Sequence, residues 1–236
     1  MKKALFVLVV IGLLSSCDKK ESDKNLHITG NIKGLQEGKI YLQRVVDTAL
    51  VAIDSIQVDG QSGFEFFVDL ESPEMLYLFL DRGVSNSLDN NLPFFAEPGK
   101  MTIDTELKYL FAKAKIGGSE NHKLFEEFQK INTQFATRGL EISKERFDAV
   151  RFNRLADVDS IDAKNLNNLK RKYLYAINFA LTNKNHEVAP YIALSELNNA
   201  TIKYLDTINN SLPPKIAASK YGKMLNEYIA EIKKTE

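Results

Sequence analysis

The chain has 236 residues, with 31 Lys and Arg residues against 31 Asp and Glu residues, a hydrophobic share of 44% and a single Cys. This hydrophobic share excludes a disordered or collagen-like chain, and the zero formal charge argues against a nucleic-acid-binding protein, which needs surplus basic residues to neutralise phosphates. A single Cys excludes an intramolecular disulfide, a CxxC redox pair and a multi-cysteine zinc site.

The first 16 residues are predicted to form a lipoprotein signal peptide. Lys2 and Lys3 precede an uninterrupted apolar run of 11 residues, Ala4 to Leu14. At ~1.5 Å per residue this run covers only half of a hydrocarbon core, so it is typical of a signal peptide and too short for a transmembrane helix. The residues up to Cys17 read LSSC and resemble the lipobox of bacterial lipoproteins. The resemblance implies cleavage before Cys17, attachment of diacylglycerol to its sulfur, and acylation of its amino group with a fatty acid such as palmitate.

The predicted anchor places the protein at a membrane of the bacterial cell envelope. Several acyl chains on one residue give durable anchoring. We expect the outer membrane in preference to the inner one, with the protein facing the periplasm or the cell surface. Residues 17–25, which continue from Cys17 with DKKESDKN, are too polar and charged to pack and are predicted to be a flexible tether. A secreted protein with an ordinary signal peptide and an unmodified Cys17 is the alternative.

Residues 26–118 are predicted to form a β-rich domain, because hydrophobic residues alternate with period two between turn residues. The predicted strands are LHITGNIK, KIYLQRV, LVAIDSIQV, FEFFVDL, MLYLFLD, PFFAE, KMTIDT and a less regular strand from Phe111 to Ile116. About eight short strands at this spacing are typical of an antiparallel sandwich or barrel. Gly30 is predicted to mark a β-bulge. Phe67 falls out of phase with its neighbours and is predicted to be exposed.

Residues 119–236 are predicted to form a helical region of four to five helices, because the hydrophobic period changes to about 3.6 residues. Ser119 is predicted to cap the first helix, which ends at Gly139. Ser143 is predicted to cap the second helix, with Ile142 and Phe147 as a hydrophobic staple.

Three further helices are predicted in the same region. The third and longest carries an apolar stripe from Leu166 to Leu181, the fourth begins near Pro190, and the Pro213-Pro214 pair opens the last. The fold class is therefore predicted to be α+β, with the strands in the N-terminal half and the helices packed beside them.

No motif for catalysis or metal binding occurs in the chain. It has no GxSxG, HExxH, P-loop or Rossmann pattern. His27, His122 and His186 fall on separate elements without a second ligand at metal-binding spacing, so they are predicted to be surface histidines, and no metal or cofactor is expected.

Three carboxylates are the first candidates for an unrecognised catalytic site. They are Glu97, Asp104 and Asp54, which would have to meet in a cleft between sheet and helices. The simpler explanation of Asp54 and Glu97 is turn formation, since Asp54 precedes Ser55 and Glu97 precedes a Pro-Gly pair.

Four segments together resemble a known envelope module. They are HITGNIKGLQEGKIYL at 27–42, DSIQVDGQSGFEF at 54–66, PFFAEPGKMTID at 93–104 and IGGSENHKLF at 116–125. They resemble the domain of unknown function 4369, a β-rich module that often precedes a thioredoxin-like domain in lipid-anchored thiol-disulfide oxidoreductases facing the periplasm. The helical stretch resembles the helical spacer of that family. The family has no established catalytic residues in this module, so none are carried over.

The resemblance does not extend to thiol chemistry. Thiol-disulfide exchange needs an attacking thiolate and a resolving Cys, whereas the only Cys here is Cys17, which is expected to be acylated. We therefore expect a lipid-anchored envelope protein without enzymatic activity, which binds a partner or ligand through its β-rich module. An envelope protein is the expected partner, and the family context suggests a separate thioredoxin-like oxidoreductase. The alternatives are an envelope hydrolase, and a degenerate copy that lost its thioredoxin-like domain and keeps a scaffold role.

Overall fold

The computed structural model describes residues 23–83, 90–198 and 200–235, so that Cys17 and the predicted signal peptide lie outside the described residues. The strands are β1 (Leu26–Lys33), β2 (Glu37–Val46), β3 (Ala49–Asp59), β4 (Gly63–Val68), β5 (Glu74–Asp81), β6 (Asn91–Ala96), β7 (Gly99–Glu106) and β8 (Lys115–Gly117). The α-helices are α1 (Glu120–Arg151), α2 (Val158–Thr182), α3 (Val188–Glu196), α4 (Ile202–Ser211), α5 (Pro214–Ala217) and α6 (Lys220–Thr235).

The strands form two open four-stranded sheets, so the sandwich is confirmed and the barrel is not. One sheet has the order β4-β1-β7-β8 and the other the order β3-β2-β5-β6. The pairing is antiparallel except between β1 and β7, which run parallel with Leu26 opposite Gly99. Alternating hydrophobic residues point between the sheets and form the first core. Its fully buried members include Ile28, Ile32, Ile40, Leu42, Phe66, Leu76, Leu78, Phe94 and Ile103.

The outer face of β5 and β6 is the platform on which the helices pack. Met75 and Phe95 point away from the sandwich interior and belong to the helical core. The ring of Phe95 meets the rings of Tyr191 and Tyr221 edge-on, with centroids 5.6 and 5.8 Å apart. The molecule therefore has three layers, two of sheet and one of helices, each joined to the next by buried apolar contacts.

Two strand predictions were wrong in detail. β1 keeps an unbroken register with both of its neighbours across Gly30, so Gly30 is not a bulge. A Cβ at Gly30 would lie 2.2 Å from the carbonyl oxygen of Ile103, so the glycine allows a close approach of β7. The segment from Phe111 holds a turn with an exposed Phe111, and only Lys115–Gly117 pairs as β8.

The first two predicted helices are one helix. Ser119 caps α1 as predicted, its Oγ accepting a hydrogen bond from the N–H of His122 at 2.9 Å. The helix then continues through Gly139 and Ser143, because a single glycine costs a helix only about 1 kcal/mol and Ile142 is buried against α2. Phe147 is exposed, so Ile142 and Phe147 form no staple.

The later helices also differ from those predicted from the sequence. Pro190 lies in the first turn of α3 as predicted, but α4 was not predicted. The helix opened by Pro213-Pro214 divides into α5 and α6. Six α-helices therefore occur in the described ranges, against the four to five that were predicted.

Candidate functional site

A large open cleft lies between the sandwich and the last two helices. Its volume is ≈ 1010 Å³. The lining residues come from the end of β2, the loop before β5, the turn between β6 and β7, the start of α3, and the α5–α6 region. They include Arg44, Asp69, Glu71, Ser72, Glu74, Glu97, Glu187, Lys215, Lys220, Lys223, Met224 and Glu227. The cleft is thus formed by both halves of the chain and carries charges of both signs.

Glu74 is the buried centre of the cleft wall. Its Oε1 lies 2.7 Å from Nη2 of Arg44 on β2, and its Oε2 forms an ion pair with Nζ of Lys220 on α6. The backbone N–H of Lys220 also donates to Oγ of Ser72 at 3.1 Å. A buried carboxylate that is paired twice joins the sandwich to the last helix, and all three residues line the cleft.

Glu97 organises the start of α1 at another wall of the cleft. Its Oε2 accepts hydrogen bonds from Oγ of Ser119 at 3.0 Å and from the N–H of Asn121 at 3.2 Å. A carboxylate at a helix N-terminus satisfies backbone donors that have no partner within the helix. Turn formation therefore does not fully explain Glu97, because its side chain also anchors α1 to the sandwich.

A buried amide extends this contact into α3. The Nδ2 of Asn121 donates to Oε2 of Glu187 at 3.0 Å, and its Oδ1 accepts from the N–H of Val188 at 2.8 Å. Asn121 is fully buried and Glu187 nearly so. These contacts fix the start of α3 against the start of α1.

The rim of the cleft receives the N-terminal end of the described chain. Lys24 forms an ion pair with Asp69, and the N–H of Asn25 donates to Oδ1 of Asp69 at 3.2 Å. The Lys24 hydrogen bond, followed by that of Asn25, lowers the pKa of the exposed Asp69 carboxyl from its usual value. Lys24 and Asn25 therefore lie beside the cleft, immediately before β1.

The three candidate carboxylates do not come together. Glu97 lines the cleft, whereas Asp54 and Asp104 do not. Asp54 is exposed on β3, with Oδ1 accepting from the N–H of Ser55 at 2.7 Å. Asp104 is exposed on β7 in the other sheet.

The prediction of three surface histidines was wrong for His122. His122 is buried at the start of α1, and its Nδ1 accepts a hydrogen bond from the N–H of Phe95 at 3.2 Å. Burial lowers the pKa of its imidazole to about 4. His27 is partly exposed and stacks on the exposed ring of Phe67, with centroids 4.4 Å apart. His186 is partly exposed between α2 and α3.

The sequence analysis did not identify the ion pair between Glu74 and Lys220, which is the best-defined charged contact in the cleft. A signal existed for Glu74, since it is the one charged residue among the first seven of the apolar strand EMLYLFL. Its partners lie 30 residues before it and 146 residues after it. Pairing at such separations leaves no local pattern in a sequence.

Neither a metal cluster nor a membrane-spanning helix occurs in the described part of the chain. Residues 23–83, 90–198 and 200–235 contain no group of three His, Cys, Asp or Glu side chains placed to hold a metal ion. Within the same ranges, no helix has the length and apolar content needed to cross a bilayer.

The comparisons with known proteins concern the sandwich. The family model described as Domain of unknown function (DUF4369) matches residues 26–125, which span all eight strands and the first six residues of α1. No curated protein and no solved structure matches the chain. The match confirms the resemblance read from the four segments: the stretch that forms the β-sandwich and the start of α1 matches the DUF4369 family model.

Proposed function

We propose that this protein is a lipid-anchored protein of the bacterial cell envelope, which binds a polypeptide partner in the cleft without catalysing a reaction. The observation that carries the proposal is the place of the cleft. A large, charged and open cleft lies at the end of the fold where Lys24 and Asn25 lead into β1. The predicted lipid on Cys17 would therefore hold this cleft close to a membrane.

The short tether limits how far the cleft stands from the anchor. Six residues lie between Cys17 and Lys24, and the seven Cα–Cα steps from one to the other reach at most about 24 Å in an extended chain. A tether this short keeps the cleft near the membrane surface, where it meets other envelope proteins. The outer membrane remains our preferred location, with the domain on the periplasmic side or at the cell surface.

The lining residues favour a polypeptide over a small apolar ligand. Small-molecule sites are mostly apolar, with a few convergent polar groups, whereas this cleft is lined by four basic and six acidic residues. Among the described residues that line the cleft, two lysines and two glutamates form no ion pair. They are Lys215, Lys223, Glu71 and Glu227. A segment with charges of both signs would satisfy them.

The internal contacts of the lining carboxylates argue for binding without catalysis. Glu74, Glu97 and Glu187 are held by ion pairs or hydrogen bonds that join the two halves of the fold. A hydrolase of the glycosidase type needs two carboxylates facing each other across the substrate, and of its candidates only Glu97 lines the cleft. A separate thioredoxin-like oxidoreductase is the first partner to look for, which rests on the family resemblance alone.

In-cell photo-crosslinking tests the proposal. A photo-reactive amino acid replaces Met224, which lines the cleft and is 44% exposed. The matched control replaces Phe111, which is also exposed but lies beyond the far end of β7. Both are made in the full chain, in its native envelope, and the products are identified by mass spectrometry. We expect a specific product from position 224 that position 111 does not give.

Charge reversal then assigns the product to the cleft. Lys215→Glu together with Lys223→Glu should abolish the product, whereas Lys108→Glu together with Lys115→Glu, outside the cleft, should leave it unchanged. Cys17→Ala should remove it by releasing the chain from the membrane. Failure to obtain a product at position 224, or a product that persists through reversal of the cleft lysines, would refute binding in the cleft.

A further inference from the structure

The start of α1 connects two walls of the cleft. The hydroxyl of Ser119 and the N–H of Asn121 donate to Glu97 in the turn between β6 and β7, and the side-chain amide of Asn121 donates to Glu187 at the start of α3. Glu97 and Glu187 both line the cleft. Residues 119–122 are therefore a junction between the sandwich and α3, here called the α1 junction.

His122 attaches the α1 junction to the edge of the second sheet. β6 is the last strand of that sheet, and the N–H of Phe95 on β6 donates to Nδ1 of His122 at 3.2 Å. The imidazole thus takes the place of a further strand as the acceptor for a backbone donor. The side chain of His122 is only 4% exposed, so this hydrogen bond is made away from solvent.

Only the neutral form of His122 makes this contact. An imidazole whose Nδ1 accepts a hydrogen bond carries its proton on Nε2, whereas an imidazolium carries a proton on both nitrogens and accepts no hydrogen bond. Nε2 of His122 is buried and has no hydrogen-bond partner among the residues that the structure describes. Protonation at Nδ1 would therefore break the bond to Phe95 and place a charge inside the interface.

The groups that surround His122 offset this charge only in part. On α1, Oε1 of Glu126 lies 3.6 Å from Nε2 of His122, but the side chain of Glu126 is 56% exposed, so solvent screens the attraction. Glu97, after β6, and Glu187, before α3, already accept hydrogen bonds from the start of α1. On α3, burial raises the pKa of Tyr191, so its phenol is neutral.

We propose that the α1 junction is an acid-sensitive switch, in which protonation of His122 releases the start of α1 from β6 and loosens the cleft walls that carry Glu97 and Glu187. The released imidazole is solvated and keeps its proton, so acid favours the released state. The effect on a bound polypeptide rests on the proposed function, whereas the release of α1 does not.

Proton linkage sets the size and direction of the effect. In the attached state burial lowers the pKa of His122 to about 4, and in the released state the pKa returns to about 6.5. Between these values the released state binds a proton that the attached state excludes. The ratio of released to attached molecules should therefore rise about 30-fold from about pH 7.5 to about pH 5.

Hydrogen–deuterium exchange of the full chain in detergent, followed by mass spectrometry, tests the switch. After correction for the intrinsic pH dependence of exchange, peptides that cover Phe95 and the first turns of α1 should open about 30-fold more often at about pH 5 than at about pH 7.5. His122→Asn keeps an acceptor but does not titrate, so its rise should be at most about threefold. The matched control is His186→Asn, which removes a partly exposed histidine just before α3 and should keep the wild-type rise.

Circular dichroism checks that the variants fold, and His122→Gln supplies a second side chain that accepts a hydrogen bond without titrating. The wild-type measurement stands without any variant. A wild-type chain whose α1 junction opens equally often at both pH values would overturn the switch. An equal rise in the wild-type chain and in both His122 variants would do the same.

The crosslinked product from position 224 measures the effect on the cleft. In cells resuspended at about pH 5 this product should decrease in the wild-type chain and persist in His122→Asn. A wild-type product that persists although α1 opens would overturn the coupling to the cleft. Absence of the product at both pH values would instead refute the proposed function, and hydrogen exchange alone would then decide whether the switch exists.

Discussion

The hydroxyl group of Tyr221 on α6 accepts a hydrogen bond from the backbone N–H of Met75 on β5, with 2.9 Å between the oxygen and the nitrogen. The two residues are 146 positions apart, and the bond is buried between the helices and the second sheet. Burial, the largest cause, raises the pKa of the Tyr221 phenol, so this group stays protonated at physiological pH. This contact ties α6 to the outer face of β5 within the helical core.

The Tyr221→Phe variant should therefore lose about 1–2 kcal/mol of unfolding free energy, because the N–H of Met75 would be left buried without an acceptor. Tyr228→Phe is the matched control on the same helix, since its hydroxyl donates to the carbonyl of Asn198 at an exposed position. Urea unfolding should show a change below about 0.5 kcal/mol for the control. Equal losses in the two variants would contradict the role given to the buried bond.

Removing the charge of Glu74 should destabilise the junction between sandwich and helices. Glu74→Gln leaves Arg44 and Lys220 facing each other without their shared carboxylate, at a cost of about 2–4 kcal/mol. Glu71→Gln, three residues earlier at an exposed position without an ion pair, should cost less than about 0.5 kcal/mol. Thermal unfolding of both variants gives the comparison, and a Glu74→Gln variant as stable as Glu71→Gln would show that the ion pairs add nothing.

Alanine at Gly118 should be among the most damaging single substitutions in the sandwich. Gly118 has φ +90° between β8 and α1, and a Cβ there would lie 2.1 Å from the carbonyl oxygen of Lys100. The backbone conformation and the clash together predict a loss of at least about 3 kcal/mol. Gly60 has φ +75° but open space around its Cα, so Gly60→Ala should cost only about 1–2 kcal/mol. Chemical unfolding of the two variants gives the loss of unfolding free energy in each, and the difference between the two losses is the cost of the clash. Similar losses would argue against the clash.

Buried His122 should make stability depend on pH. Its folded-state pKa is about 4, below the unfolded value of about 6.5. Between these values the unfolded chain binds a proton that the folded chain excludes, so the free energy of unfolding falls as pH is lowered through this window, by at most about 3 kcal/mol.

A variant separates this effect from that of Glu126, whose Oε1 lies 3.6 Å from Nε2 of His122. Burial raises the pKa of Glu126, which acts in the opposite direction on acidification. His122→Asn retains an acceptor for the N–H of Phe95 but does not titrate. Urea unfolding at about pH 7.5 and about pH 4.5 should show a smaller loss of stability on acidification in the variant. An equal loss would place the pH dependence elsewhere.

Lipid attachment at Cys17 has a direct chemical test. Cells grown with a fatty acid that carries a detectable tag should label the wild-type chain, and mass spectrometry should find an acylated peptide that begins at Cys17. Cys17→Ala should abolish the label, whereas Ser16→Ala, which keeps a small residue beside the predicted cleavage site, should retain it. Labelling that survives Cys17→Ala would refute the predicted anchor.

The strand half of the fold was readable from its sequence because its signals are local. Alternation of hydrophobic residues identified seven of the eight strands, since each strand buries one face against the opposite sheet. Ser119 was recognised as a cap because its oxygen binds a backbone N–H only three residues later. Phe67 was predicted to be exposed from its phase alone, and the structure confirms it.

The helical half was harder because its boundaries depend on distant contacts. Gly139 and Ser143 carry stop and start signals, but α1 continues through both where Ile142 packs against α2. His122 was predicted to be a surface residue, but it is buried and accepts a hydrogen bond from a backbone N–H of β6, 27 positions earlier. The candidate carboxylates failed to converge for the same reason, as Asp54 and Asp104 belong to different sheets.

By itself the sequence determined the α+β class, the strand pattern, the DUF4369 relationship and the prediction of an anchor at Cys17. All of these rest on neighbouring residues, whose spacing sets which face is apolar and which turn can form. Only the tertiary structure decided that Glu74 bridges Arg44 and Lys220, that a charged cleft opens between the sandwich and the last helices, and that Glu97 anchors the start of α1. Those features arise where chain segments up to 146 residues apart meet, and a linear pattern of hydrophobic and polar residues does not specify which of them will meet.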